Sequence, residues 1–332
     1  METFLLDYIV NTTLKSKKTV KKQLSVLQSI FGEAFMLDIT ETTVMERIEK
    51  VNKYRDILND LLTLPQVEQR SEEWHNIRKN LITASDFAQA LGKGKFGTKG
   101  QFYKNKCGYE VNNIDMSMPA LKWGVRYEEV ANMFYKLKMN VGVHEFGILK
   151  HPTIDFVGAS PDGISDMGVM LEIKCPWKRK RTDTIPEQYY YQIQGQLEVC
   201  DLEECDYLEC YISEYDSRDD MKTDSTRQYK GVIYEMDDGS FKHGSLNDLD
   251  FSFKKGFKLV YYYGINEYFL KRVYRDKKFF EETVAGLADV WKNVKLFREN
   301  EDEYKIAVKT NKRVKKAPVF MFRNCEDDEI NL

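Results

Sequence analysis

The chain has 332 residues, 42% of them hydrophobic and 13% aromatic, including 20 Tyr and 19 Phe, and so much apolar surface excludes a disordered polypeptide. Its 50 Lys and Arg stand against 53 Asp and Glu, for a formal charge of -3, which excludes an overall basic field and confines any nucleic-acid surface to a local patch. Six cysteines without a CxxC pair and only four histidines argue against structural zinc and for reduced thiols in an intracellular protein.

The opening METFLLDYIV has an acid where a signal peptide carries basic residues, and no later window approaches the ~18 apolar residues of a membrane span. The expectation is a soluble protein without a membrane partner. From Val20 to about Leu62 apolar residues recur at helical spacing, as at Val44, Ile48, Val51, Leu58 and Leu61, so residues 1–64 read as a small helical extension. Leu64-Pro65 breaks the pattern and marks the predicted boundary of a domain over residues 65–300.

That domain opens with a predicted helix from Ser71 to Asn80, the segment LITASDFAQALG, a mobile Gly/Lys-rich loop GKGKFGTKG and a long helix near Ala120 to Met139. The loop lacks the GxxxxGK[ST] spacing of a P-loop. β-like runs follow in FGILKHP, IDFVGAS and VMLEIKC, then a helix from Pro186 to Cys200, then strands YLECYIS and QYKGVIYEM. Alternating helices and strands predict an α/β sandwich. A final helix is predicted from about Asn266 to Glu299, and residues 301–332, with basic KTNKRVKK and acidic CEDDE, read as a flexible charged tail.

The strongest chemical signal is SPDG, Ser160 to Gly163, followed by LEIKCP, Leu171 to Pro176. Side chains two apart on a strand share a face, so Glu172 and Lys174 project together while Ile173 turns to the opposite, apolar layer. A hairpin through Asp162-Gly163 and ISDMG would bring Asp162 beside Glu172. Two carboxylates and an ammonium suit phosphodiester hydrolysis with a hard divalent cation. The same residues also fit an ordinary turn and a solvated edge pair. On the next helix Glu128 shares a stripe with Val125 and Ala131, which fits a third acid or a glutamate at the stripe's edge.

The motifs RKNLITASD, WGVRYEE, SPDG, LEIKCPW and YYYQIQGQLEV, in that order over roughly Gln69 to Ile212, resemble the lambda-type exonucleases, including the YqaJ-like viral recombinases. The resemblance implies a restriction-endonuclease-like PD-(D/E)xK core, a mixed central sheet flanked by helices. It implies that Asp162, Glu172 and the backbone carbonyl of Ile173 bind one Mg²⁺ (Mn²⁺ substituting), that Glu128 serves a second ion or its water, and that Lys174 activates the attacking water. It also implies a 5′-phosphate pocket of Arg78 and Ser85, assisted by Ser160 and Gln192. Read from residue chemistry alone, Arg78 also fits a surface arginine and Ser85 a helix N-cap.

Gln192, Gln196 and Tyr189 share a helix face, and Tyr189 and Gln196 read as structural. Lys178 to Arg181, directly after the catalytic strand, and Lys93, Lys95 and Lys99 of the Gly-rich loop are candidates for phosphate-backbone contact, with Lys178 and Arg179 foremost. The implied function is 5′-to-3′ digestion of linear double-stranded DNA to nucleoside 5′-monophosphates, leaving 3′ single strands for recombination or replication. A single-strand annealing protein is the implied partner, and a large DNA virus or phage the implied source. Residues 1–64 have no counterpart in the compact phage enzyme, so homo-oligomerisation stays open. An endonuclease on the same core and a non-catalytic DNA-binding scaffold are the alternatives.

Overall fold

The computed structural model describes residues 2–16, 19–31, 39–69, 71–95, 97–109, 118–253 and 256–311. Three helices come first: α1 (Glu2–Ser16), α2 (Val20–Phe31) and α3 (Glu41–Thr63). A reciprocal Thr40–Thr43 capping box starts α3, and Leu64 turns extended ahead of Pro65 to end it, as the ring of a following proline requires.

Next are α4 (Glu72–Lys79), β1 (Ile82–Thr83), a 3₁₀ turn at Ala84–Asp86, α5 (Phe87–Ala90), α6 (Lys99–Cys107) and α7 (Pro119–Met139). Short strands follow: β2 (Val143–His144), β3 (Leu149–Lys150), β4 (Val157–Ala159), β5 (Gly163–Ser165) and β6 (Met170–Lys174). After them run α8 (Glu187–Val199), β7 (Glu204–Tyr215), α9 (Arg218–Thr223), β8 (Lys230–Met236), β9 (Phe241–His243), β10 (Phe257–Tyr274), α10 (Lys277–Glu299) and α11 (Glu301–Asn311).

The main sheet has the order β2-β5-β6-β7-β10-β8-β9, and a small one the order β1-β4-β3. In the main sheet only β6 and β7 are parallel, and α8 is the crossover that such a pair needs. Alternation along β6 and β7 divides the core. Leu171, Ile173, Leu208 and Cys210 pack with Val130 and Phe134 of α7 and with Val44 and Val51 of α3. Met170, Cys205 and Tyr207 face the other way, onto Ile193 and Leu197 of α8 and Leu287 and Trp291 of α10. The fold is the expected α/β one, a mixed sheet covered by helices on both faces.

Three stretches depart from the expected pattern. Residues 266–274 belong to β10, and α10 starts only at Lys277. Tyr268 to Tyr274 pair with Cys210 down to Glu204 of β7, and this long-range ladder outweighs the helix-like spacing of INEYFLKRVY. The run from 301 begins with α11, whose Tyr304 is buried against Tyr109 and Phe297; residues 312–332, with most of KTNKRVKK and all of CEDDE, lie outside the described residues. The Gly/Lys-rich loop is docked on α8 through Lys93 Nζ to the Tyr191 hydroxyl (2.5 Å) and Lys95 N to Gln188 Oε1 (3.0 Å).

A buried ion cluster joins the first helices to the sheet. Arg47 of α3 binds Asp7 of α1 (2.6 Å) and Glu204 of β7 (2.5 Å), while Arg272 of β10 binds Asp7 (2.7 Å), Asp206 (2.6 Å) and Glu204. The Tyr135 hydroxyl of α7 donates to Asp206 at 2.7 Å, and all five charged residues are at most 9% exposed. Breaking such a cluster leaves uncompensated buried charge, so Arg47→Met is expected to cost about 3–5 kcal/mol in urea denaturation. Burial acts to raise the Glu204 carboxyl, but Arg47 and Arg272 outweigh it and hold it below its ordinary 4.5. A depressed carboxylate adds stability that is present above its unfolded value and lost as pH falls through the folded one. The wild type should therefore lose stability more steeply below about pH 4.5 than Arg47→Met, and equal acid slopes would remove this account.

Candidate active site

β5 and β6 form a hairpin with Gly163 opposite Leu171 and Ile164 opposite Met170, so the next pair outward is Asp162 and Glu172. The turn between the strands needs the left-handed backbone of Gly168 (φ +70°), where a Cβ would also lie 2.4 Å from Tyr54. The Asp162 carboxylate accepts from Ile173 N at 2.6 Å, which ties it to β6.

Glu172 is fully buried. Lys174 Nζ donates to its Oε1, and Gln196 Nε2 to its Oε2 at 2.8 Å. Burial first, and then the charge of Asp162, push Glu172 up to about 7 against the pull of Lys174 and Gln196. Burial disfavours the Lys174 ammonium, but Glu172 and Asp162 outweigh it and hold the group above its ordinary value. Lys174 thus stays charged in this arrangement, and its Nζ lies 5.0 Å from the Tyr189 ring centre.

Glu128 of α7, Asp162 and Ile173 line one cleft of about 420 Å³, together with Glu68, Glu129 and Glu145. Among the described residues no three His, Cys, Asp or Glu side chains are close enough to cage an ion by themselves. The donor set is instead two apposed carboxylates, a main-chain carbonyl and an acid on the cleft wall. These are the hard oxygens that Mg²⁺ takes, and Mg²⁺ keeps waters in its remaining positions. A buried Glu172 carboxylate whose ionisation is held back by burial and by the charge of half-buried Asp162 fits a divalent cation, which would relieve both burial and repulsion.

A second group of side chains adjoins the first. Arg78 donates to Ser85 Oγ at 3.1 Å and lies 4.4 Å from the Trp74 ring centre. The same indole donates to Ser160 Oγ at 3.2 Å, and the Ser160 carbonyl accepts from Gln196 at 3.3 Å. Lys106 Nζ supports the strand of chain beneath, donating to the Arg78 carbonyl (2.8 Å) and pairing with Asp86 (2.8 Å).

The structure thus brings together Arg78, Ser85 and Ser160, and separately Asp162, Glu172, Ile173 and Lys174, with Gln196 touching both groups. Gln192 is half-buried one helical turn before Gln196. Lys178 is exposed, with its Nζ 4.1 Å from the Trp177 ring centre. Arg179 turns inward to the buried Glu209, which also accepts from Tyr207 and Tyr211, so its guanidinium is committed to the protein.

No motif in the sequence points to a role for Trp74 or Lys106, and Gln196 reads there as structural. Trp74 stands four residues before Arg78 on α4, and that spacing is a readable signal for a stacked pair. Nothing in YKNKC distinguishes a buried lysine from a solvated one.

Residues 73–203, from α4 to the start of β7, match the YqaJ-like viral recombinase domain. An uncharacterised protein of Acanthamoeba polyphaga mimivirus is 26% identical, over 80% of this chain and 60% of its own length. A protein of African swine fever virus is 26% identical, over 39% of this chain and 46% of its own length. The chain therefore spans less than two thirds of either relative. Among solved structures, an alkaline exonuclease from Laribacter hongkongensis is similar at 20% identity and a TM-score of 0.48, over 72% of this chain and all of that one. A phage-related exonuclease from Haemophilus somnus is similar at 12% identity and a TM-score of 0.38, over 71% of this chain and 99% of that one. With the motifs and the domain match in agreement, residues 73–203 are similar to a YqaJ-like viral recombinase domain.

Proposed function

We propose that the chain is a Mg²⁺-dependent exonuclease that digests linear double-stranded DNA from a 5′-phosphorylated end, releases nucleoside 5′-monophosphates and leaves a 3′ single strand for recombination or replication. The observation that carries this reading is the adjacency of two groups: the Asp162–Glu172–Lys174 cluster, and the Arg78–Ser85–Ser160 arm joined to it through Trp74 and Gln196.

Bound Mg²⁺ would supply Lewis-acid polarisation of the scissile phosphate and a water of lowered pKa. Asp162, Glu172 and the Ile173 carbonyl are the residues to hold it, with Glu128 for a second ion or its water. Lys174, kept charged by its two acids, orients the attacking water and neutralises charge on the phosphate. Arg78 presents a planar fork to a terminal phosphate, held in place by the Trp74 ring, and the Ser85 and Ser160 hydroxyls complete the pocket. Lys178 is an exposed cation just after β6, available to the DNA backbone. Gln192 reaches the same end, and a single-strand annealing protein receives the 3′ strand.

The test is digestion of a linear duplex phosphorylated on one strand only, beside a covalently closed circle, with Mg²⁺ or EDTA. Loss of the phosphorylated strand alone, to mononucleotides and only with Mg²⁺, is the expected result. Cutting of the circle would assign an endonuclease, and no cleavage a binding scaffold.

Arg78→Lys keeps the charge but loses the fork and the stack. It should raise KM for the 5′-phosphorylated end roughly tenfold, about one charge-assisted hydrogen bond, and erase any preference over a 5′-hydroxyl end. An unchanged preference would remove Arg78 from the pocket.

Because Glu172 takes a proton at about pH 7 and only its carboxylate binds a cation, Mn²⁺ affinity should rise with pH up to about 7 and then level off. Proton release on Mn²⁺ binding should accompany the rise and vanish where the affinity levels off, above about pH 7. A pH-independent affinity between pH 5.5 and 7, within the ~1 unit over which such a group titrates, would take Glu172 out of the ligand set.

A further inference from the structure

Gln196 lies on α8, the crossover between β6 and β7, and is 1% exposed. Its Nε2 faces two acceptors, the Glu172 carboxylate and the Ser160 carbonyl. Only the amino end of an amide can serve both, so its orientation is set by chemistry. That orientation leaves Oε1 buried without a hydrogen-bond partner among the described residues, a cost that a side chain present only for packing would not carry, since an apolar residue of the same length would fill the space.

The helix has little room to shift. A Cβ at Gly195 would come within 2.5 Å of the Phe87 ring, so α8 lies tight on α5 at the residue next to Gln196. Glu172 is then held by one donor on each oxygen, Lys174 on Oε1 and Gln196 on Oε2. The second acceptor, Ser160, is two residues before Asp162, and its hydroxyl takes the Trp74 indole that stacks on Arg78.

From this geometry we infer that Gln196 is a positioning residue for the reaction, which fixes the Glu172 carboxylate relative to the Ser160–Asp162 segment so that the two carboxylates form one divalent-cation site. The inference rests on the metal-ligand reading of Asp162 and Glu172 given above. It assigns Gln196 to turnover and metal binding, and separates it from capture of the DNA end, which falls to Arg78, Ser85 and the Ser160 hydroxyl.

The experiment compares the full-length wild type with Gln196→Met, which keeps length and removes the donor. Mn²⁺ affinity is measured by calorimetry, melting temperature without metal, and kcat and KM on a 5′-phosphorylated duplex. Gln196→Met should retain the melting temperature, bind Mn²⁺ about tenfold more weakly and lower kcat about tenfold or more, with KM for the end changed less than about threefold. If that variant fails to fold, Gln196→Leu, which also removes the donor, is measured in the same way and should show the same split. Wild-type Mn²⁺ affinity in the variant overturns the inference whatever its activity, as does a raised KM with unchanged kcat, which would place Gln196 in the end pocket. A wild type that binds Mn²⁺ without cleaving DNA overturns the nuclease reading alone, because weaker Mn²⁺ binding by the variant would still support the positioning role. A wild type that binds no Mn²⁺ overturns both.

Discussion

The arrangement depends on β6 being a central strand, covered by helices on both faces, that carries two ionisable residues on one of them. Glu172 is wholly buried in a position that would normally hold valine or leucine, and a lone carboxylate there would be untenable. It persists because Lys174, two residues on, lies on the same face, and because α8 brings Gln196 to the remaining oxygen. The period of two thereby does two tasks at once. It sends Leu171 and Ile173 into the α7 core, and it stacks the polar residues over α8. The polar layer continues onto β7, where Glu209 stands beside Lys174 in register and is satisfied by two tyrosines and Arg179.

Much of this was legible in the amino-acid order because it is local. Strand alternation in LEIKC and the turn residues before it are short-range signals, as is the periodicity of α7, and they lead directly to Asp162, Glu172, Lys174 and the fold class. What was not legible depends on partners distant in sequence. INEYFLKRVY has spacing compatible with a helix, and only β7, more than 50 residues earlier, makes it a strand. Gln196 reads as a packing residue until Glu172 and Ser160 are placed around it. Lys106 and Arg179 look like surface cations because charge runs usually are, yet both turn inward to acids or carbonyls. Such burial is a property of the assembled fold, invisible in a window of neighbours.

The first three helices follow the same logic on a larger scale. α1 and α3 share a core cluster with α7, β6 and β7, and their docking is specified by charge as well as by apolar contact. Two guanidiniums, from α3 and β10, are distributed over three carboxylates, from α1 and β7, with Tyr135 and Tyr54 completing the lone pairs. An apolar patch tolerates sliding, whereas forked arginines accept few geometries. The cluster therefore acts as a register pin between these helices and the back of the sheet that bears β6.

The pin also orders events during synthesis. Asp7 and Arg272 are 265 positions apart, and a ribosome adds about 5–20 residues per second. For many seconds the nascent chain holds Asp7 and Arg47, and later Glu204 and Asp206, without the second guanidinium that balances them. α1 and α3 can form as helices in that interval but cannot seat on the sheet with their charges matched until β10 arrives. The last long strand thus acts as a checkpoint on α1, and a core that seats this helix with matched charges only after the sheet is finished is kept from settling into a partly assembled form.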